Sequence, residues 1–228
     1  DSLSEIALLS LERIDIKSLH VFGYGEIQLT DWITDDEKGG YTTPNKLVIK
    51  DENDAKSILT SKFDAVRWEG IGLFKVIFFI FSRFDFMQSF EISNELLFNF
   101  LNEVKLLYSQ GNSVSHNFRH AVSCTQFLTY MIIESEIEKN IEKVDLFVLI
   151  LASLCHDIKY DFNVNSRSID AYRILLKKGS LHETKSCTFA ISIMSKEKCN
   201  LLRFFQNDEK KLEEIWSLFI QLVLSTDV

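Results

Sequence analysis

The stretch VDLFVLILASLCHD, residues 144–157, decides the fold of this chain. Only Asp145 and Ser153 interrupt its apolar part, and a run that is apolar on all sides predicts a helix buried in the middle of a helical bundle. His156 and Asp157 follow at its end, where an unpaired buried carboxylate would be expensive and must be hydrogen-bonded or metal-bound. The segment therefore predicts both a central helix and a polar site at the end of that helix.

The rest of the chain extends the helical pattern from about Ala55 onward, with apolar side chains every three or four positions. Ser93 and Asn207–Asp208 are predicted to start two of the helices. Two apolar stripes are predicted core faces: Leu97, Phe100, Leu101, Val104 and Tyr108, and then Leu212, Ile215, Trp216, Phe219, Ile220 and Val223. We predict an all-α, multi-helix compact bundle over residues 56–228. Residues 1–55 hold the only proline and the clearest turn signals, and they predict a short mixed N-terminal extension with room for a small β element.

Composition restricts the classes of function. The chain has 228 residues, 46% of them hydrophobic, which suffices for one large domain. Its net charge of −8 argues against a surface that follows phosphates, so no nucleic acid is expected as a partner. The longest apolar stretch, Ile71–Phe81, is shorter than the roughly 20 residues that span a bilayer. We expect a cytoplasmic protein with no membrane span, and, since the sequence begins with Asp, a piece of a longer chain.

The cysteines show no CxxC pair. In a cytoplasmic protein this pattern predicts reduced, buried thiols and argues against disulfides or a zinc knuckle. The four positions are Cys124, Cys155, Cys187 and Cys199.

A second polar motif, HNFRHA at residues 116–121, contributes two histidines. On a helix His116 and His120 would lie on the same face. His120 precedes His156 by 36 residues, and a histidine pair alone is often a surface coincidence. Together with Asp157, these imidazole and carboxylate groups suit Zn, Fe, Mn or Mg, and such a mixed set typically holds a metal that acidifies a bound water.

These motifs, HNFRHA and LASLCHDI, resemble the HNxxHA and LAALCHD signatures of class I 3′,5′-cyclic nucleotide phosphodiesterases. Three further segments resemble that family in the same order. Residues 70–93 are similar to the helix pair before the first signature, Asn163–Ser166 to an NNS segment, and Ser225–Asp227 to an ATD segment. The resemblance covers about residues 57–228. It implies a helical, metal-dependent hydrolase of cAMP or cGMP whose C-terminal part lies beyond residue 228.

The resemblance also implies roles for individual residues. A histidine matching His116 protonates the leaving ribose oxygen in that family, while hydroxide attacks phosphorus in line and metals neutralise the phosphoryl charge. Residues matching His120, His156 and Asp157 hold the tighter metal, and the aspartate bridges to a second one. The implied cofactors are Zn at the first site and Mg or Mn at the second. Behind the ligands or in the pocket wall, the resemblance places Glu183, Asn165 and Asp227.

The chain departs from the family at four positions. The family's HDxDH motif has Lys159 and Tyr160 at its last two positions here, and its LExHH motif has Lys185 and Ser186. An ammonium group near a dication is repulsive, so binding of the second metal should weaken.

These departures leave alternatives open. The chain is an active cyclic nucleotide phosphodiesterase, or it is a degenerate domain of that type, without a functional metal, that serves a structural or regulatory role with protein partners in a larger assembly. A third alternative is a different phosphohydrolase of the wider group in which aspartate follows histidine on a helix.

Overall fold

The structure, a computed structural model, describes residues 34–35, 40–41, 49, 52–111, 113–158 and 181–226. Its α-helices are α1 (Glu52–Ile58), α2 (Ile71–Arg83), α3 (Phe86–Ser89), α4 (Asn94–Ser109), α5 (Phe118–Glu134), α6 (Lys143–Cys155), α7 (Leu181–Met194) and α8 (Glu209–Leu224). Short 3₁₀ turns occur at Ala65–Arg67, Ile137–Lys139, Glu197–Cys199 and Arg203–Phe205. The predicted all-α fold is confirmed.

Two very short strands precede the helices. Strand β1 (Thr34–Asp35) pairs antiparallel with β2 (Gly40–Tyr41), with Thr34 opposite Tyr41. The pair falls within residues 1–55, most of which lie outside the described residues. The domain boundary after residue 55 therefore stays a prediction.

By its contacts the chain divides into two units. The first comprises residues 1–98 and 126–143, and the second comprises residues 99–125 and 144–228. Helices α4 and α5 contribute residues to both units.

In the first unit, the phenylalanine-rich helix α2 forms the core. Its residues from Val76 to Phe81 are all buried. The ring of Phe74 meets Phe98 edge-on at 5.6 Å between centroids, and Phe81 meets Phe86 at the same distance. Edge-on pairs of this kind add stability beyond the apolar area they bury.

Within residues 52–111, 113–158 and 181–226, no helix is long and apolar enough to cross a membrane.

Gln126 is the polar anchor of the same unit. Its side chain is buried, and Nε2 donates hydrogen bonds to the carbonyl oxygens of Ile58 at 2.7 Å and Thr60 at 3.0 Å. Gln126 thereby ties the end of α1 to α5.

In the second unit, α6 is the buried central helix that the sequence predicts. Phe147, Ile150, Leu154 and Cys155 are all 0% exposed. Their burial on several sides of the helix confirms its predicted position in the core.

The predicted stripe on α4 is confirmed along its whole length, because each of its five residues is buried. Ser93 caps this helix as predicted, since its Oγ accepts a hydrogen bond from the Leu96 N–H at 3.1 Å. Asp208 caps α8 in the same way, by accepting from Lys211 N–H at 3.0 Å.

The predicted stripe on α8 is only partly buried. Ile215, Phe219 and Val223 lie in the core, whereas Leu212, Trp216 and Ile220 are half-exposed. Period alone predicts the direction of an apolar face but not how much of its width a neighbour covers.

Replacing Gln126 by Leu should lower the free energy of unfolding by about 2 kcal/mol, because the substitution leaves the buried Ile58 carbonyl and the partly buried Thr60 carbonyl without their donor. The shift in the urea midpoint would measure this loss. Gln221→Leu, at an exposed position of α8, is the matched control and should change stability by no more than about 0.5 kcal/mol. Equal midpoints for the two variants would contradict the anchoring role of Gln126.

Candidate metal centre

The end of α6 presents His156 and Asp157. His156 Nδ1 lies 2.7 Å from the carbonyl oxygen of Ser153, and since a carbonyl can only accept, Nδ1 donates and Nε2 is left to face the site. Tyr108 holds the backbone beyond the helix: its Oη accepts from the Asp157 N–H at 3.2 Å and donates to the Leu154 carbonyl at 3.1 Å. Burial raises the pKa of Tyr108, so the hydroxyl remains a donor.

The start of α5 presents the HNFRHA histidines. Asn117 precedes the helix, and its Oδ1 accepts from the His120 N–H at 3.1 Å, which is the geometry of an N-cap. His116 lies just before the cap, with Nδ1 2.8 Å from Ser113 Oγ and 3.3 Å from Ser115 Oγ. His116 is thus held at one ring nitrogen while Nε2 faces the site.

The two segments meet around one oxygen of Asp157. Its Oδ2 lies 3.1 Å from His156 Nε2, 3.3 Å from His120 Nε2 and 4.0 Å from His116 Nε2. The ring centroid of His120 is 5.5 Å from that of His116 and 5.4 Å from that of His156. The structure therefore brings together the four residues that the sequence predicts as proton donor and metal ligands.

The electrostatics of this cluster are strongly coupled. Burial by itself would raise the pKa of Asp157, but hydrogen bonds from His120 and His156, together with the nearby imidazoles, outweigh burial and hold that pKa well below its usual range. The hydrogen bond to Asp157, followed by that to Cys124, raises the pKa of His120 to about 10 despite burial. Without a metal His120 is therefore protonated at neutral pH, and an ion that binds there must release a proton.

Cys124 differs from the sequence prediction, which treats all four cysteines as buried. All four are free thiols; Cys155, Cys187 and Cys199 are buried, but Cys124 is half-buried. Its Sγ lies 3.5 Å from His120 Nε2 and 3.8 Å from Nδ1. The signal in the sequence is the spacing of four residues on one helix, which places Cys124 on the same face as His120.

The donor set fits a divalent transition metal. The ligating atoms of His120, Cys124 and His156 all lie within 4.8 Å of one another. A tetrahedral zinc ion, with Zn–N distances of about 2.0–2.1 Å, keeps neighbouring nitrogen and oxygen ligands about 3.3 Å apart. The distances from Asp157 Oδ2 to the Nε2 atoms of His120 and His156, 3.3 and 3.1 Å, are close to that separation.

Helix α7 carries the part of the chain that departs from the family motif. Glu183, in its first turn, is buried, and Lys185 is half-buried. Ser186 is 1% exposed, and its Oγ donates to the Ile158 carbonyl at 3.3 Å. The hydroxyl of Ser186 thus links α7 to the residue that follows Asp157. Four residues singled out in the sequence lie outside the described residues: Lys159, Tyr160, Asn165 and Asp227.

Comparison with known proteins identifies the family of this chain. Residues 115–228, half of the chain, match the family described as 3′,5′-cyclic nucleotide phosphodiesterase. The chain belongs to the class I 3′,5′-cyclic nucleotide phosphodiesterase family.

Two curated relatives illustrate the similarity. A probable 3′,5′-cyclic phosphodiesterase of Caenorhabditis elegans is 27% identical over 163 residues, which are 70% of this chain and 24% of that protein. The 3′,5′-cyclic-AMP phosphodiesterase 4 of Dictyostelium discoideum is 32% identical over 167 residues, which are 70% of this chain and 15% of that protein. The chain thus spans about a quarter or less of the length of these relatives.

A solved structure shares the fold. The crystal structure of the phosphodiesterase domain of the Salpingoeca rosetta rhodopsin phosphodiesterase has a TM-score of 0.64 at 23% sequence identity. The match covers 77% of this chain and 54% of that one.

Replacing Tyr108 by Phe should lower the free energy of unfolding by about 1–3 kcal/mol, because the Asp157 N–H and the Leu154 carbonyl each lose a buried partner. Chemical denaturation would measure this loss. Tyr130→Phe, at a half-buried position on α5, is the control and should cost less. A Tyr108→Phe variant as stable as the unsubstituted protein would show that other groups satisfy the turn after α6.

Proposed function

We propose that the chain is a metal-dependent catalytic domain, formed by residues 56–228, that hydrolyses the 3′,5′-cyclic phosphodiester of cAMP or cGMP. The observation that supports this most is the approach of three imidazole Nε2 atoms, those of His116, His120 and His156, to within 4.0 Å of one buried carboxylate oxygen. Membership of the phosphodiesterase family supports the choice of substrate class.

In this proposal His120, His156 and Asp157 hold the first divalent ion, which we propose to be zinc. When bound, the ion supplies an acidified water and neutralises charge on the phosphoryl oxygens. Oxygen from water adds to phosphorus, the bond from phosphorus to the ribose 3′-oxygen breaks, and His116 gives its proton to that departing oxygen. The product is a nucleoside 5′-monophosphate, and the 3′-hydroxyl carries the proton that His116 supplied.

His116 suits the role of proton donor because its two ring nitrogens are in different surroundings. Nδ1 lies against the Ser113 hydroxyl, which also accepts from the backbone N–H of His116 at 3.0 Å. Nε2 is 4.0 Å from Asp157 Oδ2, farther than the Nε2 atoms of the two proposed ligands, so we assign His116 to proton transfer and not to metal binding. Ser113 is accordingly a positioning residue that keeps the ring aimed.

The second ion of the family, Mg or Mn, has weaker support here because Lys185 and Ser186 occupy two positions of the family's LExHH motif. We assign Glu183, Asn165 and Asp227 to the pocket wall or to the groups behind the ligands. We place the protein in the cytoplasm, where cyclic nucleotides are made and used.

A second candidate function is that of a non-catalytic, regulatory domain that associates with protein partners in a larger assembly. The observation in its favour is the buried Ser186, whose hydroxyl supports the backbone of Ile158 at a position where the family carries a histidine. Such a replacement is compatible with the fold and removes an imidazole group that could bind metal.

Metal content tests the proposed first site. The full-length protein should retain about one zinc ion per chain after gel filtration, and Asp157→Asn should lose most of it, because the substitution removes the only carboxylate among the proposed ligands. Elemental analysis by mass spectrometry would measure the ratio. The control Asp145→Asn, in the first turn of α6, should retain its metal. Equal zinc in the two variants would overturn the assignment of Asp157 as a ligand.

Hydrolysis tests the catalytic proposal. With zinc and with Mg or Mn supplied, the full-length protein should convert cAMP or cGMP to the 5′-monophosphate. His116→Asn should lower kcat by about 10²–10⁴-fold, the usual contribution of a general acid, while metal content stays unchanged. The control His182→Asn, at a half-buried position on α7, should retain activity.

Two outcomes would contradict the catalytic proposal. Failure of the metal-loaded protein to hydrolyse either nucleotide would favour the regulatory function. Full activity of the His116→Asn variant would show that the protein is an enzyme but that His116 is not its proton donor.

A further inference from the structure

Cys124 lies where a further metal ligand would lie. It is one turn after His120 on α5, and its Sγ approaches both ring nitrogens of that histidine, at 3.5 Å from Nε2 and 3.8 Å from Nδ1. The ligating atoms of Cys124, His120 and His156 are mutually within 4.8 Å. Cys124 therefore forms a group with His120 and His156, which are two of the three ligands of the proposed function.

The distance to His120 matches coordination to a common ion. With a Zn–S distance of about 2.3 Å and a Zn–N distance of about 2.0–2.1 Å, a tetrahedral ion keeps sulfur and nitrogen ligands about 3.6 Å apart. The observed separation of 3.5 Å between Cys124 Sγ and His120 Nε2 is close to this value. The same Nε2 atom is 3.3 Å from Asp157 Oδ2, close to the separation expected for nitrogen and oxygen ligands.

The other cysteines provide an internal comparison. Cys155, Cys187 and Cys199 are buried, and none of them belongs to the group of ligating atoms that contains Cys124. Cys124 alone among the four is half-buried, and it faces imidazole groups.

We propose that Cys124 Sγ is an additional ligand of the first ion, beside His120 and His156, so that a sulfur joins the two imidazole nitrogens at this site. The inference rests on the metal site of the proposed function but not on turnover. Thiolate is a soft ligand that favours Zn²⁺ over Mg²⁺ and Mn²⁺. Its negative charge adds to that of Asp157 and offsets the charge of the dication.

Cobalt substitution provides the test, because a cobalt–thiolate bond has a near-ultraviolet charge-transfer band that nitrogen and oxygen ligands do not produce. The full-length protein, stripped with a chelator and reloaded with Co²⁺, should show this band. Cys124→Ala and Cys124→Ser should lose it and should bind Zn²⁺ at least tenfold more weakly, with a smaller change for Mn²⁺. Cys199→Ala, which removes a buried thiol, is the matched control and should keep both the band and the affinity.

The serine variant separates ligation from a simple hydrogen bond to His120. Serine can keep such a hydrogen bond but is a poor zinc ligand, so a Cys124→Ser variant that binds zinc normally would overturn the proposal. Bound cobalt without the band would overturn it too, while leaving the metal site of the proposed function intact. A protein that takes up no cobalt or zinc at all would contradict both the proposed metal site and the proposed role of Cys124.

A second measurement on the unsubstituted protein covers the case in which the Cys124 variants do not fold. Iodoacetamide should alkylate Cys124 in the chelator-treated protein, and zinc should protect it, as peptide mass spectrometry would show. Alkylation of Cys124 at the same rate with and without zinc would contradict ligation. The three buried cysteines should react slowly in both samples.

Discussion

The carboxylate of Asp157 is buried at the end of a buried helix, and much of the surrounding structure offsets the free energy that this burial costs. His156 and His120 approach one of its oxygens at 3.1 and 3.3 Å, and Tyr108 holds its backbone N–H. A buried charge with such partners is stable, whereas the same charge with one partner removed is strongly destabilising. The groups that stabilise the fold at this point are therefore the groups that would bind a metal.

This dual use explains how the cluster can persist whether or not the domain turns over substrate. The backbone groups at the end of α6 and at the beginning of α5 need hydrogen-bond partners for the fold to be stable. Asn117, as the N-cap of α5, and the hydroxyl of Tyr108 supply two of these partners. His116 lies farther from the carboxylate, with its Nε2 atom 4.0 Å from Asp157 Oδ2, and its Nδ1 atom lies near the hydroxyls of Ser113 and Ser115. This position is compatible with the role of proton donor in the proposed function.

Ser186 and Cys124 have opposite effects on the number of possible metal ligands in this region. Ser186 replaces a polar group of the family's motif with a hydroxyl that supports the Ile158 carbonyl, whereas Cys124 adds a sulfur next to His120. A site that loses imidazole groups for a second ion and gains a thiolate for the first would hold one soft-preferring ion more selectively. In the proposed function, these two residues would favour binding of one zinc ion over binding of a second, harder cation.

The sequence by itself determined the helical fold, the buried character of α6 and the residues His116, His120, His156 and Asp157. These follow from local patterns: apolar period, capping residues and two short motifs that resemble one family. Only the tertiary structure decided that Ser113, Tyr108 and Cys124 support or join the site, and that Leu212 and Trp216 stay half-exposed. The physical reason is that a repeat along the chain predicts which face of a helix is apolar or polar, whereas the hydrogen bonds of Tyr108 join it to Leu154 and Asp157, 46 and 49 residues away, which local spacing does not encode.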